Sequence, residues 1–311
     1  MMADIGSMFG ATGGDETFLG VPSARPEALG GARVAILGAP CVTPYASVGP
    51  YCADGPAAIR AASAAYAAMR GHVNLDLGRP GFAEGAVVDC GDIPGDPADA
   101  AGNRARVAEA VGMVLAAGAV PLVIGGDDSA PIPVFGAFAG RGRHSVLQID
   151  AHIDWRDAVA GERLGLSSTM RRVSEMGHIG TMVQVGQRGI GSARVEDLAA
   201  ARERATLVGA ARLTREGPGA ALAALPGGAP VLLALDWDAL DPSVMPSVIG
   251  RTPGGLSYWQ VLGLIEAAHA QGGIAGFCAM EFMPGRDIDG LGGMLAAQML
   301  ASVCGLLAGG L

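Results

Sequence analysis

The sequence predicts a three-layer α/β/α domain with a mainly parallel central sheet. Short apolar runs, rich in β-branched residues, alternate along the chain with segments of helical periodicity, which is typical of parallel strands joined by right-handed crossovers. Half of the 311 residues are hydrophobic, enough for a large core. The predicted strands are Arg33 to Pro40, Ala86 to Gly91, Ala119 to Ile124, Ser145 to Ile149, Thr181 to Gly186, Ala205 to Val208, Pro230 to Leu235 and Gly273 to Ala279.

Helices are predicted between these strands. Pro56 to Arg70 begins with proline and is rich in alanine, which favours a helix with proline in its first turn. Asp99 to Ala117 places valines on one face, as an amphipathic helix does. Another helix is predicted to begin near Ser129. Residues 1–31, rich in Gly, Ser and Pro, are interpreted as an N-terminal arm that packs outside the domain or on a neighbouring subunit, and residues 32–311 as a single domain.

Composition narrows the class of protein. The chain has 21 basic and 30 acidic residues, a net charge of −9, which argues against a general attraction to nucleic acid or an anionic membrane. Its five cysteines are scattered and form no CxxC pair, which favours a reducing compartment. We find no apolar run long enough for a membrane span and no basic leader region, so a cytoplasmic location is expected.

The stretch that follows the predicted strand Ser145 to Ile149 carries the strongest chemical signal. Asp150, His152 and Asp154 occupy alternate positions, and alternate residues of an extended segment face the same side. Two carboxylates and an imidazole in one small volume repel and resist dehydration unless a cation offsets them. A bound divalent metal is the simplest explanation, and a polar loop with chance alternation is the alternative.

Three more predicted strands end at acidic residues, and ligands of parallel sheets bind beyond the carboxyl ends of strands. The predicted metal ligands are Asp128, Asp150, His152, Asp154, Asp236 and Asp238, and a further acid is Glu281. This set has too many oxygens for a tetrahedral zinc site. It suits two hard or borderline divalent ions, Mn²⁺ first and Ni²⁺ or Co²⁺ as alternatives, and such a pair activates water.

The motifs GGDDS (125–129), DAHID (150–154) and LDWDALDP (235–242), with Glu281 after the last strand, resemble those of the ureohydrolases, the family of arginase, agmatinase and guanidinobutyrase. The resemblance runs over nearly the whole chain and is strongest to the agmatinase branch. It implies an arginase-like fold and a two-manganese site that hydrolyses a guanidino group to urea and an amine.

The resemblance also assigns roles to individual residues. It implies that Asp150 and Asp236 bridge the two ions, that Asp154 binds the first ion, and that His152 and Asp238 bind the second. Glu281 corresponds to the acid that pairs with the substrate guanidinium, a bidentate arrangement that charge-assisted hydrogen bonds favour.

Two positions depart from the family pattern. Asp128 stands where the family has a histidine ligand, so the first ion would be bound by oxygens alone, which predicts a higher working pH or a different metal preference. Ser167 stands where agmatinases have a histidine that is assigned to proton transfer. Ser167 is therefore predicted to be a catalytic residue. A serine is a poor acid or base near neutrality. The conceivable substitutes are His72, His144, His178 and His269.

Residues beside the predicted metal ligands indicate which kind of substrate the site would bind. Trp155, with Tyr45 and Met283, is predicted to wall the pocket and stack on a planar guanidinium. Arg156 is predicted to recognise a carboxylate tail, with a solvent-exposed arginine as the alternative. Trp237 is expected in the core. The favoured substrates are guanidine, an alkylguanidine or biguanide, or a guanidino acid. The resemblance associates activity on such compounds with nickel, so Ni²⁺ is the alternative metal.

A rival hypothesis follows from the two departures. Asp128 and Ser167 are also consistent with a catalytically weakened subunit that assembles with an active paralogue and supports it. The resemblance implies a trimer or hexamer, either of one chain or of two paralogous chains.

Overall fold

The computed structural model describes residues 17–309, which form one eight-stranded parallel sheet between two layers of helices. The strands are β1 (Val34–Ala39), β2 (Val73–Asn74), β3 (Arg79–Pro80), β4 (Val87–Asp92), β5 (Val120–Gly125), β6 (His144–Ile149), β7 (Ile179–Val185), β8 (Thr206–Val208), β9 (Val231–Asp236) and β10 (Ile274–Met280). The main sheet has the order β4-β1-β5-β10-β9-β6-β7-β8, and β2 pairs with β3 in a separate antiparallel hairpin. The predicted fold class is confirmed.

Helices connect most of these strands. Within the described residues they are α1 (Gly55–Ser63), α2 (Ala100–Ala116), α3 (Pro131–Gly136), α4 (Thr169–Ser174), α5 (Val195–Arg204), α6 (Ala210–Glu216), α7 (Gly219–Leu222), α8 (Tyr258–Gly272) and α9 (Leu291–Leu307). No helix in this part of the chain is long and apolar enough to cross a membrane.

The core lies on both faces of the sheet, because successive strand side chains point to opposite sides. In β6, Leu147 and Ile149 pack into the core under α1, α8 and α9, whereas Val146 packs into the core under α2, α3 and α4. Strands buried on both faces are continuous apolar runs. For this reason all eight main strands were predicted within two residues of their observed ends.

The predicted helices are mostly confirmed. The carboxylate of Asp99 accepts a hydrogen bond from the backbone N of Gly102 at 2.8 Å and caps α2. The predicted helix from Pro56 to Arg70 is divided, since α1 ends at Ser63 and Ala64–Met69 continues as a 3₁₀ helix.

The start of the described chain packs into the domain. Phe18 and Leu19 are buried in the core, and their backbone N–H groups donate to Asp89 Oδ2 and Ser63 Oγ, both at 2.8 Å. The part of the predicted arm from residue 17 onward is therefore joined to the domain. Residues 1–16 lie outside the described residues, and the proposed division at residue 31 stays a prediction.

The strand order brings four acidic strand ends together. From β6 the chain moves outward to β7 and β8, then returns to place β9 and β10 between β5 and β6. The four central neighbours β5, β10, β9 and β6 all point the same way, since each adjacent pair is parallel. The loops that carry the predicted ligands therefore leave the sheet at one edge, side by side.

Candidate metal centre

Asp150 lies at the middle of the carboxylate cluster. It directly follows β6, and its backbone N donates to the carbonyl of Val185 on β7 at 2.9 Å. Its Oδ1 accepts from the backbone N of His152 at 2.5 Å, and its Oδ2 accepts from Gln148 Nε2 at 2.7 Å. The same Gln148 nitrogen donates to Asp154 Oδ2 at 2.7 Å, so one amide holds two carboxylates.

The end of β9 supplies the facing carboxylates. Asp236 is the last residue of β9 and accepts from the backbone N of Asp238 at 2.7 Å. Asp238 Oδ1 accepts from the backbone N of Ala151 at 3.1 Å, which ties the β9 loop to the β6 loop. Asp238 Oδ2 lies 3.0 Å from His152 Nδ1.

The predicted ligands form two groups that share one member. Potential ligand atoms of Asp150, His152 and Asp238 lie within 4.8 Å of one another, and so do those of Asp128, Asp150 and Asp236. Asp150 belongs to both groups, which is the placement expected of a carboxylate shared by two ions. Asp154 is held beside them through Gln148.

Asp128 tests whether these residues fit a metal. Its side chain is 3 % exposed, and among the described residues neither of its carboxylate oxygens has a hydrogen-bond partner. A buried carboxylate with unsatisfied oxygens is costly unless a cation is bound beside it. Carboxylate oxygens are also the donors that hard divalent ions prefer. The residues therefore fit a divalent metal centre.

The pKa shifts of the predicted ligands are also consistent with a bound metal ion. Burial, followed by repulsion from Asp154, raises the pKa of Asp128 well above its usual value, and burial has the same effect on Asp154 and Asp236. Hydrogen bonds to Asp150 and Asp238 raise the pKa of His152 to about 12. These groups retain protons that a bound cation would displace.

Glu281 lies beside the carboxylates at the end of β10. Its backbone is in the left-handed region, with φ 70°, and its N–H donates to the carbonyl of Gly126 at 2.8 Å. Burial raises the pKa of Glu281 to about 8. The Tyr51 hydroxyl lies 2.7 Å from each carboxylate oxygen, and the backbone N of Asp128 donates to Oε1 at 2.9 Å. The contact with Tyr51 was not foreseen, because no motif marks the loop that carries it.

Arg188 and Gly250 shape the loop around Asp238. The guanidinium of Arg188 donates to the carbonyls of Asp238, Ala239 and Leu240 at 2.8 to 3.1 Å, an organising role that the sequence did not reveal. A Cβ at Gly250 would lie 3.2 Å from both Asp238 Oδ2 and His152 Cε1, so this glycine allows close approach.

Ser167 lies in the 3₁₀ turn Leu166–Ser168, and its backbone N donates to the Tyr45 hydroxyl at 3.2 Å. The turn is held near the centre because Thr169 Oγ1 donates to the carbonyl of Asp128 at 2.6 Å. The catalytic role of Ser167 stays a prediction.

The histidines considered as its substitutes lie elsewhere. His144 begins β6, on the order of 17 Å from the carboxyl end at about 3.3 Å per residue, and His178 directly precedes β7. His269 lies in α8 and accepts from the backbone N of Ile274 at 3.4 Å, and His72 precedes the hairpin strand β2. None of these four positions is at the carboxyl edge.

One substrate-binding prediction requires correction, and one stays a prediction. Trp155 does not wall a pocket: it is 2 % exposed in the core, and its Nε1 donates to Gln184 Oε1 at 2.7 Å. Arg156 donates through Nη1 to the carbonyl of Ser192 at 3.0 Å and its Nε lies 3.6 Å from Asp197, but its side chain is 27% exposed, so its role toward a carboxylate tail stays a prediction. Trp237 is fully buried, as predicted.

A parallel sheet with a buried carboxylate cluster at its carboxyl edge has the architecture of the α/β metallohydrolases. Within that class, the model of the arginase family matches residues 32–305, and the chain belongs to the arginase family. The predicted ureohydrolase resemblance is confirmed.

Relatives and solved structures agree with this membership. The chain is 30% identical to the human mitochondrial guanidino acid hydrolase, an alignment that covers 79% of this chain and 70% of the relative. It is 37% identical to the N(1)-aminopropylagmatine ureohydrolase of Thermus thermophilus, over 62% of this chain and 64% of that relative. The proclavaminate amidinohydrolase of Streptomyces clavuligerus superposes with a TM-score of 0.81 and 28% identity, covering 96% of this chain and 98% of that chain.

Proposed function

We propose that this protein is a dinuclear-metal ureohydrolase that cleaves a C–N bond of a small guanidino compound to give urea and an amine. The observation that carries the proposal is the buried cluster formed by Asp128, Asp150 and Asp236, in which the oxygens of Asp128 have no partner among the described residues. When bound, the two ions supply a Lewis-acidic centre that activates water.

The side chains would divide this work by position. Asp150, which belongs to both ligand groups, and Asp236 would be the carboxylates shared by both ions. Asp128 and Asp154 would complete the first ion's ligands, and His152 with Asp238 would bind the second. Glu281 would hold the guanidinium cation close to the cluster, and Ser167 would lie beside the reacting group in place of the proton-transfer histidine.

The charge of the site supports a cationic substrate. The five aspartates of the predicted ligand set and Glu281 are buried at one edge of the sheet, and their negative charges outnumber the positive charges of two divalent ions. This excess favours a guanidinium cation. Guanidine, an alkylguanidine or biguanide, and a guanidino acid all carry this group and are the proposed substrates.

A urea-release screen tests the activity. We expect turnover of at least one of guanidine, alkylguanidines, biguanides, guanidino acids and agmatine after loading with Mn²⁺ or Ni²⁺, Mn²⁺ being the first choice for an oxygen-rich site. Asp150→Asn is the matched control, because it removes the shared carboxylate with little change in volume. The absence of urea from every compound with either metal would contradict the proposal.

A supporting subunit is the second candidate, favoured by Asp128 and Ser167. Elemental analysis of the chain purified alone separates the two functions. About two ions per subunit with turnover supports the enzyme; no bound metal, and turnover only with a paralogous chain, supports the subunit. Size-exclusion chromatography with light scattering tests the proposed trimer or hexamer, and fractionation of the source cells tests the proposed cytoplasmic location.

A further inference from the structure

A chain of three buried polar side chains ends at the carboxylates of the proposed metal centre. Trp155 Nε1 donates to Gln184 Oε1 at 2.7 Å, and Gln184 Nε2 donates to Gln148 Oε1. Gln148 Nε2 then donates to Asp150 Oδ2 and Asp154 Oδ2, each at 2.7 Å. Both glutamines are fully buried, and Trp155 is 2 % exposed. We call this chain the Trp155 relay.

The direction of the relay is set by its tryptophan. An indole N–H is a donor only, so the amide oxygen of Gln184 must face Trp155. The amide nitrogen of Gln184 must then face the oxygen of Gln148, which leaves the nitrogen of Gln148 for the carboxylates. The opposite direction would turn the oxygen of Gln148 toward two carboxylates and leave the indole N–H buried without an acceptor.

The relay also holds the backbone that carries Asp154. Gln184 Nε2 donates a second hydrogen bond to the carbonyl of Ile153 at 2.8 Å. Asp154 has φ 52°, in the left-handed region that residues other than glycine rarely adopt. The Gln184 amide therefore fixes Ile153, the residue before this strained position, and the Gln148 amide fixes the Asp154 carboxylate.

We propose that Trp155, Gln184 and Gln148 are positioning residues of the metal centre, a role that rests on the proposed function. The relay supplies N–H groups to two carboxylates that otherwise repel each other, and it turns their Oδ2 atoms toward one nitrogen. The Oδ1 atoms receive no hydrogen bond from the relay, and Asp150 Oδ1 accepts from the backbone N of His152 instead. Groups that orient metal ligands in this way typically change metal affinity by about 10- to 100-fold when they are lost.

The test compares Trp155→Phe with Trp237→Phe. Trp237 is equally buried, but its Nε1 has no hydrogen-bond partner among the described residues, so it is a matched control for loss of an indole. Mn²⁺ affinity is measured by competition with a fluorescent chelator, and unfolding is measured in chelator. We expect Trp155→Phe to weaken Mn²⁺ binding by about 10-fold or more and Trp237→Phe to leave it nearly unchanged.

A second variant keeps the test decisive if Trp155→Phe fails to fold. Gln184→Glu preserves the volume and accepts from Trp155, yet an ionised carboxylate cannot donate to Gln148, so it should weaken Mn²⁺ binding as well. Wild-type affinity in both relay variants, or an equal loss in Trp237→Phe, overturns the relay alone. A wild-type chain that binds neither Mn²⁺ nor Ni²⁺ overturns the proposed metal centre and the relay together, whereas metal binding without urea release overturns only the proposed reaction.

Discussion

At the scale of single residues, the buried acid Glu281 is the group most suited to bind a cation. Its carboxylate is 4 % exposed and accepts from Tyr51 and from the backbone N of Asp128, so its orientation is fixed. A guanidinium pairs with such a carboxylate through two parallel N–H···O bonds.

Glu281→Gln should lower kcat/KM for the guanidino substrate by about 30-fold or more, because removing one member of a buried charge pair costs roughly 2–5 kcal/mol. Steady-state urea release measures the loss. Because the amide is nearly isosteric, Mn²⁺ binding serves as the control and should change little. Wild-type kinetics in this variant would exclude Glu281 as the guanidinium partner.

Tyr51 occupies the position from which a guanidinium would reach both oxygens of Glu281, since its hydroxyl is 2.7 Å from each. A guanidinium that bonds to both oxygens in one plane would therefore displace the tyrosine hydroxyl from its central position. Tyr51→Phe should lower KM by about 10-fold, the size expected for release of one hydrogen bond to a charged group. Substrate titrations measure the KM of this variant. The control is Tyr66→Phe, because the Tyr66 hydroxyl accepts from Gln298 and makes no contact with Glu281 among the described hydrogen bonds. A raised KM in Tyr51→Phe would mean that Tyr51 assists binding instead.

The residue scale also shows where inference from the sequence failed. The alternation rule placed Asp150 and His152 on one side of the chain, and the shared carboxyl edge of parallel strands brought Asp238 to them. Neither rule revealed that Trp155, which follows the left-handed backbone at Asp154, is buried in the core. A positive φ is more common at Asp than at most residues, but the sequence does not show which Asp adopts it.

At the scale of elements, an ion pair joins α1, β4 and the start of the described chain. Arg60 donates to both oxygens of Asp89, at 2.8 and 3.0 Å, and Asp89 also accepts from the backbone N of Phe18. Both side chains are almost completely buried, at 6% and 0% exposure. The pair therefore fixes three segments that are distant in sequence.

Arg60→Leu should reduce the free energy of unfolding by about 3–5 kcal/mol, because it leaves the buried Asp89 carboxylate without its cation. Arg212→Ala is the control: it breaks an exposed pair with Glu216, at 49% and 47% exposure, and should change the stability by at most about 1 kcal/mol. Urea denaturation measures the free energy of unfolding of both variants and of the wild type. Equal losses would show that burial of the pair contributes nothing.

The bounds of the strands could be predicted well from the sequence, but the order of the strands in the sheet could be predicted only in part. Most strands of the main sheet are apolar runs that end near Gly, Pro or Asp, a local signal, and polar residues interrupt the runs in β4, β6 and β7. The return of β9 and β10 between β5 and β6 depends on pairing between distant segments, which no local pattern encodes. The prediction that all four acidic ends meet therefore needed the rule that parallel strands share a carboxyl edge.

At the scale of the whole molecule, the proposed metal centre lies at the middle of the sheet, where it couples metal binding to the stability of the fold. Burial raises the pKa of Asp128, Asp154 and Asp236, and hydrogen bonds raise that of His152. A group whose pKa is higher in the folded state binds protons more tightly there. Its contribution to stability is complete below the unfolded pKa and declines as the pH rises toward the folded pKa.

Chelator-treated protein should therefore lose stability as the pH rises from about 6 to about 8, since all four groups act in the same direction. Bound Mn²⁺ replaces these protons and binds more tightly as the pH rises, so it should offset the loss. Differential scanning calorimetry at several pH values, with Mn²⁺ and with chelator, should give a difference in Tm that widens with pH.

Asp128→Asn provides the internal control for this coupling. It removes one buried carboxylate, so the chelator-treated variant should unfold at a higher temperature than the chelator-treated wild type, and its Tm should gain less from Mn²⁺. A difference in Tm that is independent of pH, or an Asp128→Asn variant that is less stable than the wild type in chelator, would contradict this account. Either result would mean that the carboxylates are neutralised within the protein itself, and that the fold does not depend on a bound cation to accommodate them.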